Sequence, residues 1–170
     1  QGWKQLRLRN WESFPFDVRS IDAVLLTHAH IDHSGYFPSL WRQGYRGPVY
    51  STSGTKDLCE LLLPDAGRLQ EEDAEYANKK GYSKHKPALP LFTEEEARRA
   101  LELFQTVPFG QEISVGSEFC VKWRPSGHIV GAGSIYLSAE GKKILFSGDL
   151  GRREDLVMKP PAPAENADYV

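Results

Sequence analysis

The stretch THAHIDHSG, residues 27–35, places His28, His30 and His33, three of the chain's five histidines, together with Asp32 inside six consecutive positions. It follows directly on Ala23-Val24-Leu25-Leu26, a short apolar run bounded by Asp22 and Thr27 that reads as a buried strand. That juxtaposition restricts the fold. Strands buried on both faces belong to layered α/β architectures, and such strands present functional side chains from the loops beyond their carboxyl ends. A solvated loop with spare histidines would not need an apolar strand immediately behind it.

The rest of the pattern is also α/β. Ser39, Leu40 and Trp41 read as a short helical stretch closed by Gly44, and Gly47-Pro48-Val49-Tyr50 as the start of another strand. Ser53 is placed to cap a helix carrying Leu58, Cys59, Leu61 and Leu62 as a core stripe, which Pro64 kinks or restarts. A polar helix is expected from Gln70 to Lys80, ending at Gly81, followed by an irregular proline-containing loop over 82–92. Thr93 with Glu96 forms a capping box for a helix bearing Ala97, Ala100, Leu101 and Phe104, with Glu94 and Glu95 at its favourable amino terminus. Beyond it the periodicity becomes two. Phe119, Val121 and Trp123 alternate, and Ser134–Leu137 pairs through the Glu140-Gly141 turn with Ile144–Phe146.

Two further glycine-flanked segments follow apolar strands: Ser126-Gly127-His128, and Ser147-Gly148-Asp149-Leu150-Gly151-Arg152. Three loops can therefore converge on one site. Neutral imidazoles and carboxylates suit zinc, with manganese or iron as alternatives. Within HxHxDH, His28 and His30 project the same way along an extended segment and can share one ion, while Asp32 and His33 turn toward a second.

The segments THAHIDHSG, SGHIVGAGS and FSGDLGR resemble motifs two, three and four of the metallo-β-lactamase superfamily. The resemblance implies a partial αββα sandwich, truncated at both ends, over residues 1–170. It also implies two zinc ions: His28, His30 and His128 on the first, Asp32 and His33 on the second, and Asp149 on both. The wording VLLTHAHIDHSGYFPSL, GYRGPVYST and FSGDLGR is similar to the β-CASP group of nucleic-acid-processing enzymes. Zinc β-lactamases commonly carry cysteine at the bridging position, where this chain has Asp149, so lactam hydrolysis is disfavoured.

The function implied is ribonucleolytic: hydrolysis of RNA phosphodiesters with a metal-bridging hydroxide as nucleophile, and Asp32 orienting that water or accepting its proton. The alternatives are a small-molecule ester or thioester hydrolase of the glyoxalase II or lactonase kind, and a non-catalytic RNA-binding subunit. All six ligands being intact argues against the last. The family's first strand would precede Gln1, and a β-CASP domain with the late histidines that complete the second metal site would follow Val170. The chain alone is therefore expected to hold its second metal weakly.

Composition narrows the partners. Lys plus Arg is 21 against Asp plus Glu of 23, a net charge of -2, so any contact with single-stranded RNA must be local. The candidate stretch is Lys79, Lys80, Lys84, His85 and Lys86 interleaved with Tyr76 and Tyr82, with Arg152 beside the Asp149 loop; the plainer reading of both is a solvated surface. Two cysteines fit a reducing compartment, no apolar run is long enough to span a membrane, and no signal peptide is visible, which together imply a cytoplasmic protein. Homodimers are common where the resemblance points, but no interface signature appears in the sequence.

Overall fold

A computed structural model describes residues 7–170. Gln1, before which the family's first strand is expected, lies outside the described residues. The chain divides into two compact units.

One unit comprises Asp22–Ala29, Gly47–Leu58 and Phe104–Val170 and holds both sheets. β1 (Val24–Leu25), β2 (Val49–Ser51) and β3 (Phe104–Thr106) form a parallel sheet in that order. β4 (Glu112–Val115), β5 (Phe119–Pro125), β6 (Gly133–Ala139) and β7 (Lys142–Phe146) form an antiparallel meander. Alternation in β5 turns Val121 and Trp123 to one face, where both are fully buried, opposite Leu137 and Ile135 of β6. With Val107 and Val115 they make the core of this unit, against which Ala23, just before β1, and Leu25 and Tyr50 of the parallel sheet pack. The indole of Trp123 buries its polar edge without loss, because its N–H donates to the Leu26 carbonyl at 3.0 Å. Truncating such a side chain costs about 3–5 kcal/mol. The β6–β7 turn has the expected two residues, Glu140 at φ 50° and Gly141 at φ 73°, the left-handed pair that matches strand twist.

The second unit comprises the described part of Gln1–Ile21, His30–Arg46 and Cys59–Leu103. Its helices are α1 (Ile31–Ser34), α2 (Phe37–Arg42), the greater part of α3 (Ser53–Lys80) and α4 (Glu94–Leu101). α2 packs on α4, with Phe37, Leu40, Phe92, Ala97 and Ala100 buried. Arg42 locks the pair by a two-armed bond to Glu96, 2.6 Å on each arm, and a further bond to the Leu91 carbonyl at 2.8 Å. The capping box at Thr93 and Glu96 is present as expected.

Five sequence readings are corrected. α3 runs unbroken through Pro64, so the two expected helices are one of 28 residues. Its start is capped by Thr52, whose Oγ1 accepts from the Thr55 N–H at 3.3 Å, rather than by Ser53. Its buried stripe is Thr55, Cys59, Leu63 and Gly67 at a spacing of four, which leaves Leu61 (70% exposed) and Leu62 (36%) outside the core. Phe104 opens β3 instead of extending α4. The first strand is also less enclosed than expected, with Val24 and Leu25 half-buried.

Candidate metal centre

The site begins where β1 ends. Trp123 holds the Leu26 carbonyl, and the Gly133 N–H holds the Thr27 carbonyl at 2.9 Å, so the chain leaves the strand in a fixed direction. His28 then lies almost fully buried, 1% exposed, and Thr27 Oγ1 sits 3.1 Å from its Nδ1. Engaging Nδ1 in this way leaves Nε2 as the nitrogen that could ligate a metal.

His128 comes from the loop after β5 and Asp149 from the loop after β7. The Gly151 N–H donates to the Ser126 carbonyl at 2.8 Å, joining the two loops. Only glycine fits at Gly151, since a Cβ there would stand 1.8 Å from the Gly127 carbonyl oxygen. The loop between His128 and β6 is anchored at Gly131, whose carbonyl accepts from Thr52 Oγ1 at 2.5 Å and Thr55 Oγ1 at 2.9 Å. A Cβ on Gly131 would meet the Thr55 nitrogen at 2.1 Å. Thus the glycines near His128 and Asp149 serve close backbone approach as much as flexibility.

These supports bring Asp149 Oδ2 within 3.3 Å of His128 Nε2 and 3.8 Å of His28 Nε2. The His28 and His128 rings meet edge to face at 5.1 Å. His30, which follows directly on Ala29, completes a group of four whose ligand atoms all lie within 4.8 Å of one another. Zinc ligated at about 2.0–2.2 Å in a tetrahedron requires ligand atoms about 3.3–3.6 Å apart. Three imidazoles and a carboxylate at these separations fit one such ion.

Asp32 and His33 stand outside this group. Both lie on α1, with His33 Nε2 3.7 Å from Asp32 Oδ2, and the Asp32 side chain is 79% exposed. Lys79 and Lys80 end α3, Lys84 and Lys86 follow in the loop, and all four are exposed, as is Arg152. Sequence reasoning passed over Thr27, Thr52 and Thr55, although Thr27 adjoins the first ligand.

Two facing sheets deliver imidazoles and a carboxylate from their strand ends to one point, an α/β scaffold around a group able to hold a metal. The chain belongs to the metallo-beta-lactamase superfamily, which residues 6–169 match. It is 36% identical over 162 residues to Ribonuclease TTHA0252 of Thermus thermophilus, covering 95% of this chain and 33% of that one. It is 32% identical over 146 residues to Endoribonuclease ysh1 of Aspergillus fumigatus, covering 85% of this chain and 16% of that one. The chain therefore spans a third or less of the length of these curated relatives. Among solved structures, a Cronobacter sakazakii metallo-beta-lactamase with an HARLDQ motif aligns at a TM-score of 0.52 and 18% identity, covering 85% of this chain and 47% of that one. That likeness concerns the fold alone.

Proposed function

We propose that the protein is a dinuclear metal-dependent ribonuclease of the β-CASP group, acting on single-stranded RNA. The observation that carries this reading is the cluster of His28, His30, His128 and Asp149, in a chain with relatives over 95% and 85% of its length that are named a ribonuclease and an endoribonuclease. The share of those relatives left uncovered accommodates a downstream β-CASP domain. A cytoplasmic location accords with an RNA substrate, and among the described residues no helix is long and apolar enough to cross a membrane.

In this reading His28, His30 and His128 would hold one zinc ion, Asp32 and His33 would contribute to a second, and Asp149 would serve both. When bound, the two ions supply a water acidified toward neutrality as nucleophile and positive charge against the phosphate. The chain's own residues do the rest. Thr27 fixes the His28 ring, and the Ser126–Gly151 bond sets the spacing of His128 and Asp149. Asp32, exposed and acceptor-only when ionised, orients the attacking water and takes its proton.

The test is cleavage of end-labelled single-stranded RNA by the zinc-loaded full-length protein, alongside Asp149→Ala. Cutting by the parent and none by the variant supports the proposal. If the loaded parent binds RNA without cutting it, a non-catalytic binding subunit replaces it; if it neither binds nor cuts RNA but hydrolyses a thioester or lactone, the small-molecule hydrolase does.

A further inference from the structure

The end of α3 and the loop beyond it form a face that the metal centre does not use. From Tyr76 to Lys86 the sequence YANKKGYSKHK contains four lysines and no acidic residue, and the acidic run of α3 stops at Glu75. In a chain of net charge -2 this is a local concentration of positive charge. It coincides with exposed aromatic surface: Tyr76 is 56% exposed, Tyr82 65% and Trp11 51%. The Tyr76 and Tyr82 rings lie 6.2 Å apart, with Lys80 Nζ 5.7 Å from the centre of the Tyr76 ring.

The loop is held in place. The Asn78 side chain binds Ala88 in both directions, donating to its carbonyl at 2.9 Å and accepting from its N–H at 2.7 Å. Gln70 accepts from the Leu91 N–H at 3.1 Å. These bonds fix a cavity of about 340 Å³ lined by Trp11, Ser83, His85, Pro87, Ala88 and Leu89. Its size falls at the lower end of small-molecule sites, about 300–1,000 Å³, and admits a single nucleobase. Lys84 and Lys86 alternate in sequence with the lining residues Ser83, His85 and Pro87.

A merely solvated face has no reason to gather exposed aromatic rings around a pinned loop. Aromatic faces interleaved with cations suit a flexible polyanion whose bases are unpaired, since stacking tolerates any base and phosphates seek lysines. We propose that this face is a second binding site for single-stranded RNA, in which Lys79, Lys80, Lys84 and Lys86 meet phosphates and Trp11 and Tyr82 stack on bases. The proposal rests on the ribonuclease reading for its ligand. It adds a site that grips the strand in addition to the metal centre.

The experiment measures binding of a fluorescent 30-nucleotide single-stranded RNA by the full-length, metal-loaded protein across a range of salt. The parent is compared with Lys84→Glu/Lys86→Glu, Trp11→Ala and Trp11→Phe, with melting temperature and metal content recorded for each. The double lysine variant should bind at least about tenfold more weakly, with a salt slope reduced by about 1.4, two contacts at about 0.7 each. Trp11→Ala should lose about tenfold and Trp11→Phe should recover most of it, as a stacking role requires. Duplex RNA should show little dependence on Trp11. Variants that bind single strands with the parent's affinity and salt slope overturn the proposal while leaving the ribonuclease reading intact. A parent that binds no RNA overturns both, and does so before any variant is compared.

Discussion

His128 Nε2 and Asp149 Oδ2 stand 3.3 Å apart on loops that leave two different strands of one antiparallel sheet. That separation matches one edge of a zinc coordination tetrahedron. Asp149→Ala should therefore remove the group's one carboxylate and with it tight metal binding. In the parent, zinc at a hundredfold excess over its Kd should stabilise the fold by about 2.7 kcal/mol, reversed by a chelator. The variant should show no comparable rise in melting temperature. An equal rise in both would separate Asp149 from the metal.

The approach of Gly151 to Gly127 leads to a second expectation. A Cβ at position 151 would overlap the Gly127 carbonyl, so Gly151→Ala must push apart the loops bearing His128 and Asp149. Destabilisation of about 1–3 kcal/mol in urea unfolding is expected, as for other overpacked sites. Metal affinity should fall with it, measured by competition against a zinc indicator. Lost stability with unchanged affinity would show that the loops keep their spacing without this contact.

Thr27 tests orientation apart from ligation. Thr27→Val keeps the volume but removes the hydroxyl beside His28 Nδ1. Loss of an outer partner of a ligating imidazole typically weakens metal binding about 10- to 100-fold. The same zinc competition reads this out, and parental affinity in the valine variant would leave the hydroxyl without an orienting role.

How much of this was legible beforehand depended on how local each signal was. The capping box at Thr93 and Glu96 and the Glu140-Gly141 hairpin are encoded within a few residues and stand where the pattern put them, and the three loops bring His28, His30, His128 and Asp149 together while Asp32 and His33 stay outside that group. The phase of α3 was misread because Leu61 and Leu62 are apolar by type, whereas the helix buries the small residues Thr55, Cys59 and Gly67 alongside Leu63. Gly67 illustrates why: a Cβ there would stand 2.7 Å from the Thr93 carbonyl, so closeness of backbones selected the face rather than hydrophobicity. Likewise the supports at Thr52, Thr55 and Gly131 join positions more than seventy residues apart and leave no short-range trace.

Glu96 links the fold to pH. Burial alone would raise its carboxyl, but the Arg42 guanidinium and the Thr93 N–H outweigh that and hold it below its ordinary value of 4.5. A carboxylate depressed in the folded state contributes stability that is fully present above the unfolded value and is lost as pH falls through the folded one. Glu96→Gln removes the charge while a glutamine can still serve the capping box. The variant should be less stable than the parent by about 1 kcal/mol at pH 7, a modest figure because the pair is partly exposed and screened by salt. Between pH 7 and pH 5 that gap should hold. Below 4.5 it should shrink and then close, as the parent's own carboxyl takes up its proton. Arg42→Ala provides the contrast: the arginine also binds the Leu91 and Pro90 carbonyls, so part of its deficit should persist in acid. Urea unfolding at pH 7, 5 and 3.5 measures both, and a Glu96→Gln deficit as large at pH 3.5 as at pH 7 would rule out the ion pair as its source.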